Sequence, residues 1–166
     1  MEGNRKKTIA MSLVAFFLVL TGLSFAWAEQ YDVMKGINSV NVIFDMRDGN
    51  PQTAVIHLNL IHDAYKELFA MNKDPIFRVV FMGCAVRLIS SDHRGFNAEE
   101  QKSLKEIADT ISKMSRDGIF FEACLASVNY FGVDPASILL GIEQVSNGWI
   151  SEIAYQARGY SLVPVY

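Results

Sequence analysis

The sequence predicts a three-layer α/β/α domain built on a parallel five-stranded sheet. Strand-like and helix-like segments alternate along residues 39–165, which is the order expected when each strand is followed by a crossover helix. The second strand-like segment, residues 75–83, has few polar positions, as is typical of a strand that is covered on both faces. We find no internal repeat and no second domain.

The first strand and helix are predicted on either side of a short turn. Residues 39–46 are β-branched and aromatic, which favours a strand. Asn50 then has the residue type of a helix N-cap. Pro51 follows at the first helical position, where the missing N–H of proline has no cost.

The second strand and helix are separated by a less regular stretch. Residues 75–83 form the strand, and residues 84–95 predict a loop or a short extension. Asn97 and Glu100 have the spacing of a capping box, which predicts that the second long helix begins there.

The remaining elements are shorter. Residues 119–124 predict the third strand, residues 138–145 the fourth and residues 160–165 the fifth, in which Pro164 favours an edge position. The helix before the fifth strand is predicted to turn four residues inward: Trp149, Ile150, Ile153 and Ala157.

The N-terminus has the order of a secretory signal peptide. A basic start and an apolar run without charge precede small residues at Ala26 and Ala28, so cleavage is expected after Ala28 and the product is expected in the periplasm. The alternative is a retained membrane anchor, since the apolar run is about long enough to span a bilayer. We therefore divide the chain into a signal peptide (1–28), a leader segment (29–38) and one domain (39–166).

The charge of the chain argues against some partners. The predicted signal peptide contains three basic residues and one acidic residue. Without them, the net charge of the remaining chain is −5. A mildly acidic domain without a basic run predicts no nucleic-acid partner. Contact with a membrane is expected only through an uncleaved leader.

Both cysteines, Cys84 and Cys124, come at predicted strand ends. Parallel sheets place their ligand sites at the carboxyl ends of strands. Cys124 also precedes a helix, and a helix N-terminus favours the reactive thiolate. Two alternatives stay open: Cys124 is a small buried hydrophobic residue, or it forms a disulfide with Cys84 across adjacent strand ends.

Other chemistry lacks its sequence signature. His57 and His62 are five residues apart on one helix, so they do not share a face for a metal, and His93 is a single histidine in a loop. The chain has no GxGxxG, GxxxxGK[ST], CxxC, HExxH or GxSxG pattern. We expect neither a cofactor nor a metal site.

Four stretches carry a resemblance to a known family: VNVIFDM, FRVVFMG, CLASVNYFGV from Cys124 to Val133, and the tail GIEQVSNGWISEIAYQARGYSLVPV. Together they make residues 39–165 similar to the DsrE/DsrF-like family, in particular its YchN-like branch. The resemblance implies a compact α/β domain that assembles into homotrimers, homohexamers or related hetero-oligomers. In sulfur-relay members a cysteine accepts persulfide sulfur, and Cys124 is the position that matches. Those relatives work in the cytoplasm, whereas this chain carries an export signal.

The leading hypothesis is an exported protein that binds or relays sulfane sulfur as a persulfide on Cys124, with a sulfur donor or acceptor as its partner. Its enzymatic character is left open, with sulfurtransferase or sulfur carrier as the candidate activity. The alternative is a non-catalytic homo-oligomeric binding module in which Cys124 is structural or bonded to Cys84. A third hypothesis, a thiol–disulfide enzyme, requires a reversible bond between the same two residues.

Overall fold

The computed structural model describes residues 31–166. These fall into two units, residues 31–37 and the domain of residues 38–166. The domain contains five strands and four α-helices: β1 (Val40–Met46), α1 (Pro51–Ala70), β2 (Pro75–Phe81), α2 (Ala98–Arg116), β3 (Phe120–Cys124), α3 (Leu125–Tyr130), β4 (Ile142–Val145), α4 (Gly148–Ala157) and β5 (Ser161–Val165).

The five strands form one sheet in the order β4-β3-β2-β1-β5, and every neighbouring pair is parallel. This confirms the predicted fold class. The longest pairing, between β1 and β2, runs from Val40 opposite Pro75 to Met46 opposite Phe81. Pro164 lies in the edge strand β5, as predicted, because an edge needs hydrogen bonds on only one side.

The first long helices begin where the sequence predicts. The Asn50 side chain accepts hydrogen bonds from the backbone of Gln52 and Thr53 at the start of α1. At the start of α2, Asn97 and Glu100 form the reciprocal bonds of a capping box. These local signals act within one turn, and for that reason the sequence alone locates them.

One face of the sheet, which we call the apolar face, packs against α1 and α2. Alternate residues of β1, β2 and β3 point into this layer, together with one stripe of each helix. Large and fully buried side chains of this layer include Leu58, Phe77, Phe81, Leu104, Ile107 and Met114.

The opposite face, which we call the α4 face, lies under α4 and carries polar residues. The sequence prediction for α4 was wrong: Trp149, Ile150 and Ile153 are 59%, 62% and 65% exposed, and Ala157 is exposed too. Gly148 and Glu152 are buried instead. The sheet presents polar side chains to α4, so the buried side of the helix is not its apolar side. A prediction from the spacing of apolar residues therefore selects the wrong side.

Two further segments differ from their predictions. Residues 83–89 form a 3₁₀-helix rather than a loop, because four apolar residues of this stretch are buried under α2 and α3. The fourth strand covers only Ile142–Val145. Ile138 instead makes an isolated antiparallel bridge with Ser90, and Gly141 turns the chain at a φ of +85° before the strand begins.

The unit of residues 31–37 contains one short 3₁₀-helix, Asp32–Met34. The predicted signal peptide and its cleavage site lie outside the described residues. Within residues 31–166, no helix combines the length and apolarity needed to cross a membrane.

Candidate active site at the carboxyl edge of the sheet

Cys124 is the last residue of β3, directly before α3. Its side chain points to the α4 face, where it packs against Ile43, Val80 and Met82, and only 3% of the residue is exposed. The backbone of Gly148 passes close by: a Cβ there would overlap the sulfur of Met82 and lie 3.2 Å from the Cβ of Cys124. Only glycine permits this approach of α4 to the thiol.

The surroundings of Cys124 favour its thiolate. Burial raises the pKa of the thiol, but hydrogen bonding from the backbone of Gly148, the Ser127 side chain and the backbones of Ser127 and Ala126 outweighs it, so the pKa is lowered. The thiol therefore lies between the first residues of α3 and α4, whose N–H groups have no helical partner. A lowered pKa increases the fraction of the nucleophilic thiolate.

Ser127 is held in place to act on the sulfur. The backbone N–H of Gly83, just after β2, donates a hydrogen bond of 3.0 Å to the Ser127 hydroxyl oxygen. This bond uses a lone pair of the oxygen and not the hydroxyl hydrogen. The hydrogen therefore remains available to Cys124. The Gly83–Ser127–Cys124 chain thus links the carboxyl ends of two neighbouring strands.

A cleft of about 450 Å³ opens beside the thiol. Although Cys124 is buried, it is one of the residues that line this cleft. The cleft has aromatic and apolar walls and one charged residue; its lining is Arg47, Met82, Gly83, Cys124, Ala126, Ser127, Tyr130, Phe131, Asn147 and Trp149. Its volume is in the range of small-molecule sites.

Arg47 enters the cleft from the end of β1. Its Nε donates to both carboxylate oxygens of Asp45, at 2.9 and 2.7 Å, and Asp45 is buried. Burial lowers the pKa of Arg47, but the bond to Asp45 outweighs it and the pKa is raised. The guanidinium is therefore a permanent positive charge at this wall.

Glu152 of α4 lies behind this ion pair. Burial is the largest cause that raises its pKa, to about 7, and the neighbouring Asp45 adds to the effect, whereas Arg47 lowers it. Its Oε1 is buried and has no hydrogen-bond partner among the described residues. Glu152 is thus a buried acid that gains or loses its proton near neutral pH.

A second polar cluster lies deeper under α4. The Tyr155 hydroxyl donates to Glu122, a buried residue of β3, and burial together with this bond raises the pKa of Tyr155 to about 12. The guanidinium of Arg78 stacks over the Phe120 ring at 4.0 Å. None of these residues lines the cleft.

Cys84 does not share the site of Cys124. It lies in the 3₁₀-helix after β2, and its sulfur donates to the backbone oxygen of Arg47 at 3.4 Å and packs against Gly49. Both cysteines are free, so the bridge considered from the sequence is not formed in this structure. β2 and β3 are neighbours, but Cys84 lies three residues beyond the end of β2 and its side chain faces the β1–α1 turn.

The three histidines lie outside the cleft. His57 contacts Asp48 at 3.1 Å and the buried His62 contacts Asp117 at 2.6 Å, so each of these two histidines has its own carboxylate. Among residues 31–166, no group of three or more His, Cys, Asp and Glu side chains is placed to hold a metal ion.

The sequence analysis singled out Cys124 as a candidate and did not single out Arg47, Ser127 or Glu152. Arg47 lies in the turn after β1, a strand end where a ligand site is expected. Ser127 is three residues after Cys124, on the same side of a helical turn. Glu152 carried no signal, because its role depends on the packing of α4.

A family model matches residues 41–165, and it is described as the DsrE/DsrF-like family. The chain belongs to the DsrE/DsrF-like family. The family is associated in general with sulfur relay, so the strand-end thiol and its cleft lie in a fold where sulfur chemistry is known.

Individual relatives are distant. An uncharacterized protein of Aquifex aeolicus (strain VF5) is 22% identical over 160 residues, which cover 96% of this chain and 66% of that protein, just under two thirds of its length. The solved structure of MTH1491, a protein of unknown function from Methanobacterium thermoautotrophicum, has a TM-score of 0.57 at 20% identity over 76% of this chain and all of that one. The E. coli ychN protein has a TM-score of 0.48 at 12% identity, covering 76% of this chain and 99% of its own.

Proposed function

We propose that this protein takes up sulfane sulfur on Cys124 as a persulfide and passes it to another thiol. The observation that carries the proposal is that Cys124 lines a cleft of about 450 Å³ and that surrounding N–H and O–H groups lower the pKa of its thiol. Membership of a family associated with sulfur relay supports the same chemistry.

The transfer needs no oxidant. The Cys124 thiolate attacks the outer sulfur of a donor persulfide, a new S–S bond forms on Cys124, and the S–S bond of the donor breaks with its electron pair on the departing thiolate. An acceptor thiolate then attacks the outer sulfur of Cys124 persulfide in the same way and releases the Cys124 thiolate. The groups that favour the thiolate also make it a better leaving group in this second step.

Intact-mass measurement tests the proposal. The wild type and Cys84→Ser, the matched control for the second thiol, are expected to gain one sulfur atom after treatment with a persulfide donor. Cys124→Ser is expected to gain none, and adding a small thiol should remove the gain from the other two proteins. Equal loading of Cys124→Ser and the wild type would overturn the proposal.

The second candidate is a non-catalytic binding module in which Cys124 is structural. The burial of Cys124 against Ile43, Val80 and Met82 favours it. The rate of thiol alkylation in native Cys84→Ser separates the two functions. A structural thiol reacts only when the protein unfolds, so its rate should follow denaturant concentration, whereas a cleft thiol reacts fully in the native state.

Self-association is part of the proposal. The exposed Trp149, Ile150 and Ile153 form an apolar stripe on α4 that adjoins the cleft through Trp149. Exposed apolar patches of this kind favour association, and we expect a homotrimer or homohexamer. Light scattering should give the mass of the assembly, and Ile150→Asp with Ile153→Asp should reduce it to the monomer; a monomeric wild type would contradict this part.

Export to the periplasm is also proposed, on the basis of the leader sequence. Expression with the natural N-terminus should yield a periplasmic protein whose mass corresponds to a chain starting at Glu29. A full-length product in the membrane fraction would favour a retained anchor. A full-length product in the cytoplasm would contradict export.

A further inference from the structure

We infer that Arg47 makes the Cys124 cleft selective for small sulfur donors that carry an anionic oxygen group, of which thiosulfate is the simplest. The inference rests on the proposed function, because it names the class of donor for the same thiol. It depends on the charge of the cleft wall and on the orientation of one guanidinium.

The cleft contains a single permanent charge. Of the ten described residues that line it, Arg47 is the only one with an Asp, Glu, Lys or Arg side chain. Apart from the Cys124 thiolate, the remaining lining residues are uncharged. A donor with an anionic group is therefore matched by one cation and meets no lining carboxylate.

The Arg47 guanidinium has N–H donors that form no hydrogen bond within residues 31–166. Its hydrogen bonds within residues 31–166 all run from Nε to Asp45, and 33% of the side chain is exposed. The two terminal nitrogens therefore keep N–H groups for a ligand. A planar guanidinium binds oxyanions in a bidentate manner, which orients the bound group as well as attracting it.

A second donor belongs to Asn147, another residue that lines the cleft. The Asn147 side-chain oxygen accepts a hydrogen bond of 3.1 Å from the backbone N–H of Trp149. This bond leaves the NH₂ group of Asn147 as a neutral donor among the lining residues. An oxyanion in the cleft thus has donors from both β1 and the start of α4.

The ion pair behind Arg47 holds the guanidinium in position without removing its attraction for an anion. Asp45 is buried and accepts hydrogen bonds from Nε, not from the terminal nitrogens. Glu152 interacts with both residues of this ion pair, and its pKa is raised to about 7 by burial and by Asp45. When Glu152 is protonated, the charges of Arg47, Asp45 and Glu152 sum to zero before an anion enters. When Glu152 is ionised, the sum is negative.

The transfer from such a donor is balanced. The Cys124 thiolate attacks the outer sulfur of thiosulfate, an S–S bond forms on Cys124, and the bond to the sulfonate sulfur breaks with its electron pair on the departing sulfite. The negative charge of the leaving group develops on oxygen atoms. Arg47 would stabilise that charge as it develops, which is the place where a fixed cation accelerates a reaction.

Alkylation with two matched reagents tests the anion site separately from sulfur transfer. Iodoacetate and iodoacetamide carry the same leaving group and differ by one carboxylate. In a Cys84→Ser background, the ratio of the iodoacetate rate to the iodoacetamide rate is expected to be about tenfold higher for Cys124 than for its Arg47→Gln variant. Arg47→Lys should be intermediate, and Arg116→Gln, an exposed arginine of α2, should match the parent. A ratio that Arg47→Gln leaves unchanged overturns the inference.

A second variant covers the case in which Arg47→Gln unfolds because Asp45 is left buried without its partner. Asp45→Asn combined with Arg47→Gln removes both charges together. Its iodoacetamide rate should stay near that of the parent, and its iodoacetate rate should fall. If both rates fall equally, Arg47 acts on the thiol itself and the anion site is refuted.

Loading with thiosulfate completes the test. The parent should gain one sulfur atom from thiosulfate, and Arg47→Gln should load at least tenfold more slowly. If a neutral persulfide donor loads Cys124 and thiosulfate does not, this inference fails and the proposed function stands. If the alkylation ratio depends on Arg47 but no donor loads sulfur, the anion site stands and the sulfur chemistry fails.

Discussion

The two faces of the sheet are built from the same five strands, yet they bury different chemistry. The apolar face packs phenylalanines and aliphatic residues against α1 and α2. The α4 face buries Asp45, Glu122 and Glu152 beside Cys124. Because side chains alternate along a strand, one residue step separates a core phenylalanine from a buried carboxylate.

The difference shows where stability and chemistry come from. Burial of apolar side chains stabilises the fold, whereas buried carboxyl groups cost free energy unless they are fully paired. Glu122 Oε2 and Glu152 Oε1 have no hydrogen-bond partner among residues 31–166. The apolar face therefore supports the domain, and the α4 face is free to hold charged groups around the thiol.

The largest expected contrast is between two phenylalanines. Phe77 is fully buried on the apolar face and its ring contacts those of Phe44 and Tyr65, so Phe77→Ala should reduce the free energy of unfolding by about 3–5 kcal/mol. Phe120 is half exposed on the other face, and Phe120→Ala should cost less than about 1 kcal/mol. Urea unfolding measures the two free energies of unfolding. Equal losses for the two variants would contradict the difference between the two faces.

The buried acid should make the α4 face sensitive to pH. Burial raises the pKa of Glu152 from 4.5 to about 7, so between these values the folded chain holds a proton that the unfolded chain has released. The wild type should therefore lose stability as the pH rises from 5 to 8, by on the order of 1–3 kcal/mol.

Glu152→Gln should flatten this dependence and be more stable than the wild type at pH 8. Glu106→Gln, an exposed residue of α2, is the matched control and should follow the wild type. Urea unfolding at pH 5, 6.5 and 8 provides the measurement. Parallel curves for the wild type and Glu152→Gln would show that Glu152 ionises without cost.

The contribution of Ser127 to the pKa of Cys124 can be tested by mutation. Ser127→Ala removes one hydrogen bond to the thiolate, so the pKa of Cys124 should rise while the amide contributions remain. The pH dependence of iodoacetamide alkylation in the Cys84→Ser background gives this pKa. Ser115→Ala, on the exposed side of α2, should leave it unchanged. A midpoint that Ser127→Ala does not move would limit the effect to backbone groups.

The smallest contrast is between two helix caps. Asn97 caps α2 with a reciprocal bond from Glu100, and Asn97→Ala should cost about 1 kcal/mol. Asn147 accepts one bond at the start of α4, so Asn147→Ala should cost about half as much in stability. It should nevertheless slow Cys124 alkylation more, because Asn147 precedes Gly148 and lines the cleft. Equal alkylation rates for the two variants would show that the Asn147 cap does not affect the reactivity of Cys124.

The order of elements was predictable because it depends on neighbouring residues. Caps such as Asn50 and Asn97 act over three positions, and the edge position of Pro164 follows from its missing N–H. The orientation of α4 was not predictable in the same way. Its buried side is defined by partners on other strands, such as Glu122 for Tyr155 and Asp45 for Glu152.

By itself, the sequence determined the alternation of strands and helices, the family resemblance and the position of Cys124 at a strand end. The packing of the chain places Cys84 against the β1–α1 turn, brings Ser127 and Gly148 beside the Cys124 thiol, and makes Arg47 part of the same cleft, none of which the sequence shows. The physical reason is distance along the chain. Local patterns encode hydrogen bonds within a few residues, whereas a site joins groups from β1, β2, β3 and α4 that meet only when the sheet forms.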